Sequence, residues 1–597
     1  MATTPAVTSE RGFAAEYARL EERILARDQI AASQVLYGLL KQGRPVTEIV
    51  GETVRIHAPY THVPYHQRLD DGVVKFVNND HCLLSERVGL PLASLVHPEL
   101  SLLPLAQSVW YIPTGLDPWN QLLGRAPGHY TRLYEITVNQ EPPAPEVHWP
   151  DAEPLHIEGA LGERLNHWLT LVQRGEVLTS YRVFLGLMAD APNRRQVLAH
   201  LAFAGLIDVQ DRMLHNRSYT TGHKAYRARA TIELGRALGW ERVPSVLYAG
   251  VPDIAVGPRW YSTYEMGSNV VQNVLDGRDA ELLRQDTPLT AAEEAMLIEM
   301  ITRQREPSGI DALVALLKAG RSPRRILDAI QVAAAEVILE TGHPNNFSMS
   351  QHGYEYCNTL GWFYDTFEHP RRLPLLFVAA AFINRAAEHQ ANTPNNGRKA
   401  ITPPPGAESW SSRQLLERLD AALLALRPDE AVALTAVYLK TGFDRAPLVQ
   451  VLATAACKLG NDPHNQELGL CLLEDFLHTR ATDRDRLLLA SAQHTAGHRK
   501  YGDPLEAYRR FTEALGLNTG YRAPLVQVLA TAACKLGNDP HNQELGLCLL
   551  EDFLHTRATD RDRLLLASAQ HTAGHRKYGD PLEAYRRFTE ALGLNTG

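Results

Sequence analysis

The last 76 residues of this chain repeat an earlier stretch letter for letter: Arg445–Gly520 returns as Arg522–Gly597 without a mismatch. Whatever local structure the first copy prefers, the second must prefer too, and an added helical unit either stacks on a neighbour or exposes an apolar face. A fainter repetition runs beneath the identical one. Thr221-Gly222-His223 precedes a helical stretch ending at Leu238-Gly239, and Thr341-Gly342-His343 one ending at Leu360-Gly361. Thr441-Gly442-Phe443 and Thr519-Gly520-Tyr521 open stretches that end at Leu459-Gly460 and Leu536-Gly537. Glycine closes a helix in the left-handed region without the penalty other residues meet, so each unit reads as an αα-hairpin. The expected fold class is mainly α, an antiparallel α-α hairpin repeat or helical bundle, with a small irregular, β-containing N-terminal region.

A chain of 597 residues is too long for one core, and its punctuation divides it. Residues 1–45 form an N-terminal helix region, with apolar positions at helical spacing from Phe13 to Leu39 and a stop at Gly43 and Pro45. Residues 46–155 lack a helical period. Thr53–Ile56 and Val73–Val77 are strand candidates around the turn Asp70-Asp71-Gly72, and prolines from Pro142 to Pro154 make an extended linker. Residues 156–391 are the helical core, in which Thr290 with Glu293 makes a capping box and Ser322-Pro323 starts a helix just after Gly320. A second linker, 392–411, leads to a C-terminal helical unit, 412–520, and its duplicate, 521–597, which is expected to be dispensable for function.

Net charge −8 and a pI near 6.3, with no run of basic residues, argue against nucleic acid as a partner. The longest apolar run, Leu373–Ile383, is about half of what a bilayer span needs. No secretory leader precedes Leu20, and six cysteines without a Cys-x-x-Cys pair read as reduced, buried thiols. A cytoplasmic location and no membrane partner are expected.

Chemistry is expected where the hairpin turns carry histidine. Stacked alike, the hairpins put His223 and His343 at equivalent corners facing a common cavity, and an imidazole there can bind a metal or act as a base. A carboxylate stripe stands upstream of each: Asp208, Asp211 and His215 share one helix face, as do Glu336, Glu340 and His343. Glu340-Thr-Gly-His343 resembles the Glu-x-x-His of helical di-iron proteins, and His352-Gly-Tyr-Glu355 offers the reverse order. The candidate ligands are therefore His215, Glu336, Glu340, His343, His352 and Glu355, competing in each case with a plain ion pair or turn hydrogen bond. His57, His62 and His66 recur in an extended, proline-held segment read chiefly as an arm, with His81 able to complete a three-histidine set. His494-Thr-Ala-Gly-His498 lacks the glutamate of a zinc protease and reads as a pair of surface histidines. No phosphate-binding loop, dinucleotide fingerprint or nucleophile elbow is present.

The run Thr221-Gly-His-Lys-Ala-Tyr226, Glu233-Leu-Gly, Leu238-Gly-Trp-Glu241 through Val246-Leu-Tyr248 resembles the helical module of questin-oxidase-like proteins, which is also found attached to Rieske domains. Leu316–Gly320 with Ser322-Pro323, and His352–Asn358, continue the similarity over roughly residues 180–390. The resemblance implies a cofactor-poor or metal-assisted oxygenase acting on aromatic or polyketide-like molecules. The Rieske ligand pair Cys-x-His…Cys-x-x-His is absent, which excludes that cluster on ligand count.

The resulting expectation is an oxygenase-like oxidoreductase with an apolar pocket among the helices of residues 180–370 and a small hydrophobic molecule as partner. His223 and His343 serve as ligands or bases, Tyr226 and Tyr354 as proton donors, and non-haem iron or another divalent metal as the cofactor, if one is used. The rivals are a non-catalytic α-α scaffold for a protein partner and a binding protein for a small hydrophobic ligand.

Overall fold

The computed structural model describes residues 13–26, 28–58, 67–70, 73–76, 80–115, 152–209, 222–255, 261–342, 347–397, 400–461, 463–498, 503–515, 522–536, 540–555, 562–574, 580 and 582–591. It is mainly helical. The N-terminal third holds α1 (Ala14–Leu25), α2 (Gln29–Lys41), α3 (Val46–His57), a two-stranded antiparallel ribbon of β1 (Gln67–Asp70) and β2 (Val73–Phe76), α4 (Asp80–Leu95) and α5 (Leu103–Gly115). The middle holds α6 (Leu161–Arg174), α7 (Val177–Met188), α8 (Arg194–Leu206), α9 (His223–Leu238), α10 (Ser245–Gly250), α11 (Ser262–Asn273), α12 (Asp279–Leu282), α13 (Ala291–Arg303), α14 (Glu306–Lys318), α15 (Pro323–Leu339), α16 (Ser348–Thr366) and α17 (Leu375–Ala391). Then come α18 (Ser412–Leu424), α19 (Pro428–Lys440), α20 (Arg445–Lys458), α21 (Pro463–His478), α22 (Asp485–Gly497) and α23 (Glu506–Leu515). The second copy repeats the last four as α24 (Arg522–Lys535), α25 (Pro540–His555), α26 (Asp562–Gly574) and α27 (Glu583–Ala591).

Much of the local punctuation acts as its residue types dictate. The Thr290 hydroxyl accepts from the Glu293 amide at 3.2 Å, and the Glu293 carboxylate accepts from the Thr290 amide at 2.8 Å. Gly239 (φ 87°) and Gly442 (φ 76°) follow α9 and α19 in the left-handed half of backbone space. Other expectations need correction. The first helical stretch is two helices, because the Asp28 carboxylate accepts from the Ala31 amide at 3.0 Å and starts α2. Thr53–Ile56 lies within α3 and is no strand: Ile49, Val50, Val54 and Ile56 are buried at helical spacing against neighbouring helices. The stretch around Trp110, expected to be irregular, lies in α5. Leu360-Gly361 does not end a helix, since α16 runs on to Thr366. Its missing side chain instead admits Gln331, whose Nε2 stands 2.7 Å from where a Cβ would sit.

The chain divides into two compact units, Met1–Ala514 and Leu515–Gly597. In the first, the core runs through α15, α16 and α17, where Ile326, Ile330, Ala333, Phe363, Phe377 and Ile383 are fully buried. The second has a small core of its own, Leu529, Leu550, Phe553 and Leu565. Identical letters meet different surroundings in the two copies. Leu470, Leu489 and Phe511 are 0%, 5% and 0% exposed, whereas their counterparts Leu547, Leu566 and Phe588 are 56%, 70% and 61% exposed. Among the described residues no helix is long and apolar enough to cross a membrane.

The cysteines report this difference. Cys82, Cys357, Cys457 and Cys471 are buried, and burial pushes the thiols of Cys357, Cys457 and Cys471 well up, whereas Cys534 and Cys548 are exposed. Titration of the native, reduced protein with a thiol-reactive chromophore should therefore give two fast thiols per chain and four more only after unfolding. Fast reaction of all six would contradict the burial of the first copy.

Candidate metal centre

Four helices of the first unit form a closed ring: α4 packs against α9 and α21, and α16 packs against the same two. None of the four follows another directly in the chain. His81 is the second residue of α4, His223 the first of α9, His352 the fifth of α16 and His464 the second of α21. The first turns of four helices therefore meet at one level. His223 reaches its place because Gly222 turns the chain at φ 71° and leaves room for the Tyr226 side chain, whose hydroxyl oxygen lies 2.7 Å from where a Cβ would be.

All four imidazoles are buried, at 6% exposure or less. The His81 ring centre is 4.3 Å from that of His464 and 5.2 Å from that of His223. His223 and His352 bring their Nε2 atoms to 3.3 Å, and the His352 ring centre is 5.7 Å from that of His464. Glu467, one turn after His464, places its carboxylate oxygens 2.9 and 3.0 Å from His81 Nδ1 and accepts from the Ser85 hydroxyl at 3.4 Å. One donor atom each of His81, His464 and Glu467 lie within 4.8 Å of one another, the group of such geometry found among the described residues. Two imidazoles and one carboxylate, buried together, form a donor set of the kind that suits a divalent transition metal of borderline hardness, such as iron(II) or zinc. The partial positive charge of the converging helix starts favours the anionic Glu467 and Glu355 there. A cavity of about 30 Å³ adjoins the cluster, lined on this side by Tyr226, Glu355 and Glu467.

Of the residues singled out in the sequence, the structure thus brings together His223 and His352, with Tyr226 and Glu355 beside them. The Tyr226 hydroxyl donates to the His352 carbonyl oxygen. His343, His215, Asp211, His62 and His66 lie outside the described residues, and the expected pairing of His223 with His343 lies there with them; among the described residues His223 meets His352. Glu336 and Glu340 are elsewhere. Arg486 and Arg303 each hold one of them by two nitrogens, and both line a separate groove of about 750 Å³. An arginine fork satisfies such a carboxylate without any metal. Asp208 pairs with Lys224 at 2.6 Å, both buried. Tyr354 is committed to Asp475, its hydroxyl donating at 2.9 Å.

His57 ends α3 with Nε2 2.7 Å from Glu86, both fully buried, and is not part of an extended arm. His494 and His498 are buried rather than on the surface, with His498 ring-to-ring 5.7 Å from His464. Sequence reasoning missed His464 and Glu467. Their signal, His464-Asn-Gln-Glu467 at a helix start behind Pro463, has the same order as His352–Glu355 but lies in the duplicated region, whose turns carry Phe443 and Tyr521 in place of histidine.

Comparison of the chain with protein-family models, with curated proteins and with solved structures finds no match in any of the three.

Two predictions follow from this geometry. Replacing Glu336 by Gln should leave metal binding as it is and cost about 1–3 kcal/mol of stability, since the buried carboxylate loses its charge-assisted bonds to Arg486. Bound metal that disappears with Glu336 would return the site to the stripe on α15. The second concerns Asp475, whose carboxyl burial pushes up to about 7 despite the hydrogen bonds from Asn358 and Tyr354. A carboxyl raised in the folded state adds stability that is complete below its unfolded value near 4 and is lost as pH rises through about 7. Urea unfolding of wild type and Asp475→Asn from pH 4 to 8 should show wild type losing ground to the variant by up to about 4 kcal/mol. Parallel curves would place the Asp475 carboxyl in the ordinary range.

Proposed function

We propose that the chain is a metal-dependent oxidoreductase of the oxygenase type that acts on a small hydrophobic molecule. The observation that carries the reading is the meeting of His81, His464 and Glu467 within 4.8 Å in a buried layer, with His223 and His352 alongside. Residues from four distant parts of the chain converge there with donor types that suit non-haem iron. A structural zinc site would more often draw on cysteine, and the buried thiols are absent from this donor set. Iron(II) held by such a set supplies the dioxygen and one-electron chemistry that protein side chains lack.

The chain's own contribution is burial, orientation and charge. Glu467 brings a negative charge that offsets part of the cation's, and Ser85 fixes one of its oxygens. Tyr226 ties the start of α9 to the backbone of α16, which sets the approach of His223 to His352. The closed helix ring keeps bulk water from the cluster, which strengthens every electrostatic contact inside it. The resemblance to questin-oxidase-like proteins, carried by Thr221–Tyr226 and His352–Asn358, supports an aromatic or polyketide-like substrate within this reading.

Metal analysis tests it. Protein purified and loaded with iron(II) under nitrogen should retain about one equivalent per chain. His464→Ala and Glu467→Ala should each lower the affinity by about 10- to 100-fold or more. His541→Ala, the same letter in the second copy, should change nothing. Less than roughly a tenth of an equivalent in the wild type for iron, manganese, cobalt and zinc alike would end the reading.

A further inference from the structure

A second layer of polar residues lies below the imidazoles, at matching positions on the same four helices. Arg87 comes six residues after His81 on α4, Arg229 six after His223 on α9, Asn358 six after His352 on α16, and Glu474 seven after Glu467 on α21. Six residues are about 9 Å of helix. Because ligands meet at one level and these residues at the next, all four helices run in the same direction. The cavity of about 30 Å³ separates the layers, with Arg87, Arg229 and Asn358 on its lower side.

The lower layer is tightly bonded. Arg229 donates to Glu233 at 3.2 Å, to Asn358 Oδ1 at 2.6 Å and to Glu474 at 2.9 Å, which joins α9 to α16 and α21. Arg87 donates to Glu474 at 3.0 Å and to Glu233, which joins α4 to α21 and α9. Asn358 in turn donates to Asp475 of α21 at 2.9 Å. Two guanidinium groups and two carboxylates make the quartet neutral. Burial works against every charge in it, yet the arginines hold Glu233 and Glu474 below the usual carboxylate range, and the carboxylates hold Arg87 above its own.

We propose that Arg87, Arg229, Glu233 and Glu474 are positioning residues that set the register of the four helices, and through it the spacing of the metal-binding imidazoles. The proposal rests on the metal reading of the upper layer. Its physical ground is that no short loop fixes how these helices stand along one another, since 127, 109 and 96 residues separate successive members along the chain. Apolar packing alone accepts many arrangements of similar volume. A planar guanidinium with donors in a fixed fork does not, and a slip of one helix would leave a buried charge without its partner. The layer lies too deep to touch a bound metal, so it acts only through the histidines.

The test uses the full chain and cobalt(II), whose visible absorption reports ligand geometry. Arg229→Met combined with Glu474→Leu removes one positive and one negative charge and leaves the Arg87–Glu233 pair in place. Such apolar replacement of buried ion pairs is commonly neutral for stability. The expected result is a folded protein with cobalt(II) affinity lowered about 10- to 100-fold and a changed absorption spectrum. In the metal-free variant, His81, His223 and His352 should also become open to carbethoxylation, read by peptide mass spectrometry. Wild-type affinity, spectrum and histidine protection in the double variant would overturn the proposal. If wild type binds none of cobalt(II), iron(II), manganese(II) and zinc, the metal reading falls; whenever cobalt(II) does not bind, histidine protection alone decides whether the layer positions the imidazoles. Should the double variant fail to fold, Arg229→Lys keeps the charge and loses the fork; wild-type behaviour in all readouts there would equally overturn it.

Discussion

Four helices that point the same way cannot simply be packed side by side. Each carries about half a positive charge at its start, and the ring of α4, α9, α16 and α21 gathers four such ends at one level. That crowding has to be answered by negative charge in the same place. Glu467 and Glu355 supply it, and both are buried at the level of the histidines. The arrangement also explains why long connections were needed, because parallel neighbours require a crossover whereas antiparallel ones join by a short turn.

Around this constraint the polar interior sorts itself into levels with different duties. The imidazole level is rich in donors suited to a cation, with a carboxylate already drawn to His81. The arginine level is balanced within itself and ties all four helices. Between and beside them, Tyr354, Asn358 and Asp475 form a third group in which one carboxyl is held near neutrality by burial. The order of an interior with this many polar groups comes from direction-dependent bonds.

How far the sequence could disclose this depended on the range of each interaction. Helices and their ends were legible where the deciding contact is local, as at Thr290 and Glu293 or Gly239. Local signals misled where a distant partner decides: Gly361 looked like a stop, but it makes room for Gln331 of another helix. The same holds for the site. His223 and His352 could be suspected from turn and spacing, but nothing in either neighbourhood names the other. Glu336 and Glu340 had the spacing expected of ligands and were claimed by Arg486 and Arg303 from other helices. His81 and Glu467 are 386 positions apart, a pairing that no periodicity can encode.

The duplication turns that last point into something concrete. His541 and Glu544 have the same neighbours in sequence as His464 and Glu467 and begin the same helix, yet His541 and Glu544 lie exposed. The motif His-Asn-Gln-Glu at a helix start occurs twice in this chain, and among the described residues the first copy alone belongs to a group of metal-binding geometry. The molecule therefore carries its own reference sample. Any property that differs between the twin residues is owed to tertiary surroundings, since everything encoded along the strand has been held constant.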